Sequence, residues 1–238
     1  MKRVKWEQQV KEWEESLRYS DPEKIEVNTL LNEIDFKNKI VLDVGCGIGR
    51  LTIPISKHAK KVIGIDSEKE TIDYCNKHKQ RKNIKYIHKN ILKFGGKDFD
   101  IAILAQPVYD NFDKILDSIK KALKQNGRLA IIRWIDKGNH YNELLSPFWS
   151  KNKPLTKDVE IFSKNFTRYL KKKFMTQKVV LINTYDSYPN KEILAQNIIR
   201  DSPIKFTNKD KIKLENLIKK YNYHKIKIAM KLYILKKK

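Results

Sequence analysis

A chain of 238 residues with 40% apolar content can bury a substantial core, and no apolar run approaches the roughly 18 residues a spanning helix needs; with no apolar signal segment behind its basic N-terminus, the expectation is a cytoplasmic, single-domain protein without a membrane span. The net charge of +23 is uneven, with −1 over residues 1–40, +8 over 41–150 and +16 over 151–238, a field that would favour a polyanion or an acidic substrate. Only 8 of the 51 basic residues are Arg, which weights the charge towards lysine-rich composition over specific phosphate or base readout.

Trp6, Val10, Trp13 and Leu17 recur at steps of four, three and four and predict an N-terminal helix with one apolar face. A second helix is expected from Asp21-Pro22-Glu23, with Asp21 as cap, Pro22 at the first helical position, and Val27, Leu30, Leu31 and Ile34 as its buried stripe. From Lys39 short apolar runs alternate with amphipathic segments, the pattern of βαβ units around a parallel sheet. Strands are predicted near 39–44, 61–66, 84–88, 99–104 and 128–134. Between them, helices are marked by Ile48, Leu51, Thr52, Ile55 and Ala59, by Ile72 and Cys75, and by Phe112, Ile115, Leu116, Ile119, Ala122 and Leu123. The last of these is expected to stop at Asn126-Gly127.

Beyond Trp134 the sequence predicts a long aromatic-rich connection holding His140, Tyr141, Phe148 and Trp149, then a helix marked by Phe162, Phe166, Leu170 and Phe174. A strand through Val179–Ile182, two short helices, and a final strand follow. That last strand alternates strictly from Ile226 to Ile234, which predicts a half-buried and antiparallel element. No repeat or low-complexity linker divides the chain. It reads as one domain over 1–238: N-terminal helices (1–38), a binding core (39–135), and a cover with the last two strands (136–238).

Val41-Leu42-Asp43-Val44-Gly45-Cys46-Gly47-Ile48-Gly49-Arg50 lies at a strand-to-helix junction, where backbone N–H groups and a helix N-terminus can meet a polar ligand and glycines permit close approach. Arg50 stands where a dinucleotide fingerprint places a small residue, which argues against a nicotinamide cofactor. Asp66 ends the second strand, 21 residues after Gly45, where a carboxylate can accept both hydroxyls of a ribose; the plain alternative is a helix cap. Asn90 and Ile91 follow the third strand, where an amide and a backbone N–H could read an adenine edge, or simply make a turn. Cys46 and Cys75 read as reduced thiols. The five histidines have no ligand spacing, and no metal is expected.

Taken together, residues 39 to 135 resemble the class I S-adenosylmethionine-dependent methyltransferase family, most nearly its small-molecule branch related to ubiquinone and menaquinone biosynthesis enzymes. The resemblance implies a Rossmann-like α/β fold: a seven-stranded, mostly parallel sheet with an antiparallel last strand, helices on both faces, and a helical substrate cover. It implies S-adenosylmethionine as cofactor, with Asp43, Gly45, Cys46, Gly47 and Gly49 at the methionine portion and Asp66 on the ribose. Asn90 and Ile91 would flank the adenine, Ala105 and Gln106 would line the methionine end, and Arg18 or Tyr19 could cover the cofactor carboxylate. Ser67 departs from the apolar residue this family usually packs on the adenine.

A sulfonium cofactor carries its own activation, so the protein must chiefly align an acceptor and exclude water. If a base is needed, Tyr109, Asp110, His140 and Tyr141 are the candidates by position, although His140 also suits a surface loop and the aromatic residues suit a core. The leading expectation is a small-molecule acceptor. Gln106-Pro107-Val108-Tyr109 resembles the Asn-Pro-Pro-Tyr segment of base-amine methyltransferases, and with the basic C-terminal region it supports a second reading, an RNA methyltransferase. A third is a cofactor-binding protein without transfer activity.

Overall fold

The computed structural model describes the backbone of residues 2–107, 110–135, 137–202 and 204–238, and side chains other than those of 2–7, 9 and 151–160. The N-terminal helix α1 (Lys2–Tyr19) is followed by α2 (Ile25–Glu33), and then β1 (Ile40–Val44), α3 (Thr52–Ser56), β2 (Lys61–Asp66), α4 (Lys69–His78), β3 (Ile84–His88), β4 (Phe99–Ala105) and α5 (Phe112–Ala122). The remainder is β5 (Leu123–Trp134), α6 (His140–Leu145), α7 (Lys153–Lys173), β6 (Phe174–Asp186), α8 (Lys191–Asp201), α9 (Asn208–Ile218) and β7 (Ile226–Lys237).

The strands form one seven-stranded sheet in the order β3-β2-β1-β4-β5-β7-β6. Only β7 runs antiparallel, and it is hydrogen-bonded to β5 on one side and β6 on the other. This is the Rossmann-like α/β arrangement expected from the sequence, with its antiparallel last strand. β1 lies between β2 and β4, so connections leave it towards opposite edges of the sheet, and the crevice beyond its carboxyl end is where open α/β sheets bind ligands.

Period-two alternation explains how the sheet is covered. Val41, Val62, Ile101 and Ile103 pack against α2, α3 and α4 on one face, while Leu42, Val44, Leu104 and Ile131 meet α5 and α7 on the other. In α5 the steps of three and four from Phe112 to Ala122 put five buried side chains on one stripe. A third cluster holds Leu144, Phe148, Leu194, Ile198, Leu214 and Ile218, which binds α6, α8 and α9 into a cover. No helix among the described residues is long and apolar enough to cross a membrane.

Three expectations are corrected. Asp21 does serve α2, its two carboxylate oxygens accepting from Ile25 N and Glu26 N at 2.9 and 2.8 Å, but Pro22 sits in the preceding turn and not in the helix. Asn126-Gly127 does not end a helix. α5 stops at Ala122, the strand begins at once with Leu123, and the dipeptide lies in a bulge where the register jumps between Phe99↔Leu123 and Ile101↔Arg128. The segment after Trp134 is helical where a connection was expected: His140 and Tyr141 open α6, and residues 146–152 form a 3-10 stretch.

Candidate functional site

The glycine loop crosses from β1 to β2. Gly45 N and Cys46 N both donate to Ile65 O, at 2.8 and 3.0 Å, and Gly49 N donates to Cys46 O at 2.9 Å. Gly47 N donates to Asp66 Oδ2 at 2.9 Å. These four N–H groups are therefore satisfied within the chain, and α3 begins only at Thr52. The loop is thus a surface of close approach, which corrects the expectation of N–H groups aimed at a ligand from a helix start.

Gly45 and Gly47 stand at φ +69° and +50°, and a Cβ built on either would have no atom within 4 Å. Open space lies where side chains would otherwise project, so an extended ligand can lie against the backbone. Gly49 differs: at φ +84° its Cβ would fall 2.9 Å from the Tyr86 hydroxyl, which fills the underside of the loop. Cys46 and Cys75 are buried beside it and free, with Cys75 Sγ 3.3 Å from Gly47 O. Burial raises both thiols, Cys75 to about 12.

Asp43 lies beneath the loop at 2% exposure and accepts from Thr52 Oγ1 at 2.6 Å. Burial pushes its carboxyl up to about 6, against the opposing pull of the Thr52 hydroxyl and the Arg50 guanidinium. Asp66 sits at the carboxyl end of β2, with Oδ2 taking Gly47 N and Oδ1 taking Glu68 N at 2.9 Å. A carboxylate has about four acceptor sites, so the pair retains capacity for two further donors such as vicinal hydroxyls. The turn role and the ribose role are compatible here.

Ser67 is exposed, and its carbonyl lies 2.9 Å from His88 Nε2. Asn90 caps a single 3-10 turn, accepting from Leu92 N at 2.9 Å, and Ile91 is half-buried against the core. At the end of β4, Ala105 is half-buried. Gln106 adopts φ +51°, and its side chain joins Trp134 N (3.2 Å) to Met230 Sδ (3.4 Å). Tyr109 lies outside the described residues, as does the Trp6 side chain.

His140 Nδ1 accepts from Lys227 N at 3.1 Å, and its ring contacts Tyr221. Burial lowers its pKa, which favours the neutral ring. The Tyr141 hydroxyl donates to Asp186 Oδ2 at 2.7 Å and lies 2.5 Å from the Tyr188 hydroxyl. Burial, followed by the Asp186 charge, raises the Tyr141 phenol. The Tyr19 ring packs at a tilt of 39° against that of Tyr188, with centroids 5.3 Å apart, so the end of α1 joins the same cluster.

Two acids escaped the sequence reading. Glu26, 4% exposed, pairs with Arg50 across the loop, and its Oε1 has no partner among the described residues. It stands four and eight residues before Leu30 and Ile34, so the helical period marks it as inward-facing. Asp186 shares a strand face with Ile182 and Thr184, a period-two signal of the same kind. No group of three or more metal-ligand residues occurs among the described residues.

The methyltransferase-domain family profile matches residues 35–200. A ubiquinone biosynthesis O-methyltransferase of Bartonella tribocorum is 28% identical over 145 residues, covering 49% of this chain and 58% of that protein. A ribosomal RNA small subunit methyltransferase A of Wigglesworthia glossinidia brevipalpis is 31% identical over 111 residues, covering 38% and 42%. The chain spans about half the length of the curated relatives it matches. In fold it is similar to an N-methyltransferase of Bradyrhizobium japonicum solved with S-adenosyl-L-homocysteine, at a TM-score of 0.54 and 15% identity, over 95% of this chain and 97% of that one.

Proposed function

The chain belongs to the class I S-adenosylmethionine-dependent methyltransferase family, and from that premise we propose that it transfers a methyl group from S-adenosylmethionine to a small-molecule acceptor. The observation that carries this reading is the open backbone of Gly45 and Gly47 beside the Asp66 carboxylate, which retains acceptor capacity for two hydroxyls. Asp66 would hold the ribose, the glycines would admit the amino-acid chain, and Ala105 with Gln106 would border its far end. Bound there, the cofactor supplies a methyl group already activated by its sulfonium. The protein's part is alignment and exclusion of water, and α6, α8 and α9 form the cover suited to that.

The incomplete match of the Gln106 segment favours the small-molecule reading over a base-amine methyltransferase. In the resembling segment the polar side chain is Asn followed by two prolines, whereas here Gln106 is followed by Pro107 and Val108, and its side chain is already tied to Trp134 N and Met230 Sδ. The RNA reading draws on one observation of its own, the exposed lysines of α9 and the turn after it: Lys209, Lys211, Lys213, Lys219 and Lys220 form no ion pair among the described residues. Labelled-methyl transfer to separated metabolite and RNA pools distinguishes them. Label in the metabolite pool supports the proposal, and label confined to RNA refutes it.

A further inference from the structure

The two edges of the sheet differ in how they are protected. At one edge β3 is five residues long and exposes Lys85; a short strand and a charge are two of the devices that keep an open edge from pairing. At the other edge β6 runs for 13 residues without a proline. Its one lysine, Lys178, is drawn aside to α2, with Nζ 2.8 and 2.6 Å from the two Glu33 carboxylate oxygens. Met175, Val179 and Leu181 of this strand are 52%, 46% and 54% exposed. By the period of two, Val179 and Leu181 share one face, while Val180 and Ile182 on the opposite face pack into the core. An apolar, unpaired edge of this kind is a template for a further strand.

The edge already takes an extended segment at its end. Ser20 bridges Asp186 in the antiparallel sense, and Ser187 N donates to Tyr19 O at 2.8 Å. From Phe174 to Tyr185 β6 pairs only with β7 among the described residues, so twelve residues at ~3.4 Å each leave roughly 40 Å of ladder open.

Charge decides which strand fits. Lys171 and Lys172 are exposed where α7 runs into β6, Lys236 is in register with Met175, and none of the three forms an ion pair among the described residues. The acids near the other end already hold hydrogen bonds: Asp21 with Ile25 N and the Thr184 hydroxyl, Asp186 with Asp21 N and the Tyr141 hydroxyl, Glu23 with the Tyr185 hydroxyl. A second copy of the chain would bring another net charge of +23 against this one, whereas an acidic segment is attracted.

We propose that β6 is a docking edge for an extended segment of a partner protein. The segment lies antiparallel to β6, is apolar at alternate residues to cover Val179 and Leu181, and is acidic at the end that reaches Lys171 and Lys172. Main-chain hydrogen bonds supply the affinity, and the alternate side chains with the terminal charge select the partner.

A labelled peptide of alternating Val and Thr, with a run of Glu at its C-terminal end, would be titrated into the full chain at low salt, read by fluorescence anisotropy and located by amide hydrogen exchange. The expected result is saturable binding, slowed exchange across residues 175–185, and about tenfold weaker binding when Lys replaces the Glu run. A proline at the centre of the peptide should abolish binding, since it removes a ladder donor. Leu181→Thr should weaken binding about threefold or more while S-adenosylhomocysteine binds as before. Absence of binding, equal binding of the Glu and Lys peptides, an unaffected proline peptide, or slowed exchange elsewhere overturns the proposal. So does a dimer mass in light scattering with residues 175–185 protected in the absence of peptide, which would give the edge to a second copy.

Discussion

Asp66 serves two purposes at once, and its substitutions should separate them. Its carboxylate holds Gly47 N and Glu68 N, so Asp66→Ala should loosen the loop as well as the ligand. Asp66→Asn keeps one acceptor oxygen and should leave thermal stability within about 1 kcal/mol of wild type while weakening S-adenosylhomocysteine binding about tenfold or more, as calorimetry would read. Gly49→Ala and Gly47→Ala should differ in kind. The first meets Tyr86 at a left-handed φ and should destabilise the fold by roughly 1–3 kcal/mol in denaturant unfolding. The second enters open space, so it carries only the left-handed backbone strain and should cost less stability than the first, while also reducing ligand affinity.

Asp43 gives a pH signature. Its folded value of about 6 lies above the ordinary 3.8, so the folded state binds the proton more tightly and ionisation opposes folding. Compared with Asp43→Asn, the wild type should lose stability as pH rises from about 4 to 6, by at most about 3 kcal/mol, and no more above that. Parallel stability profiles for the two proteins would contradict it. Asp43 could be singled out from the sequence because it stands two residues before the glycine loop, and Asp66 because it ends the second strand 21 residues after Gly45. Their partners could not, since Thr52 and Gly47 are defined only once β1 and β2 lie side by side.

At the scale of elements, Asp21 ties α2 to β6. It caps α2, takes the Thr184 hydroxyl of β6 at 2.5 Å, and its N–H reaches Asp186 at 3.1 Å. Asp21→Ala should therefore cost more than an isolated cap, about 2 kcal/mol in chemical unfolding, and a loss below 0.5 kcal/mol would show that the cap acts alone or not at all. Strands buried on both faces were readable as apolar runs, and β7 as strict alternation. Asn126-Gly127 misled because the dipeptide does turn the chain, but inside β5 where β4 tolerates the bulge. The start of α6 was hidden for another reason: its cap, Asn139, is 0% exposed and accepts from Tyr141 N, while six residues offer too little periodicity to recognise.

Over the whole molecule, charge and architecture point to different acceptors. The C-terminal excess of positive charge attracts any polyanion, so RNA association at low salt would be unsurprising and uninformative alone. The small-molecule account predicts that such association fades steeply with added salt and is unaffected by saturating S-adenosylhomocysteine. Filter binding across a salt series checks this. The most direct measurement of the central claim is calorimetric titration of the purified full chain with S-adenosylhomocysteine, beside Asp66→Asn and against NAD. One-to-one binding of S-adenosylhomocysteine, weakened in the variant and absent for NAD, is the predicted result. No measurable binding, or binding untouched by the substitution, would contradict the assignment of the crevice.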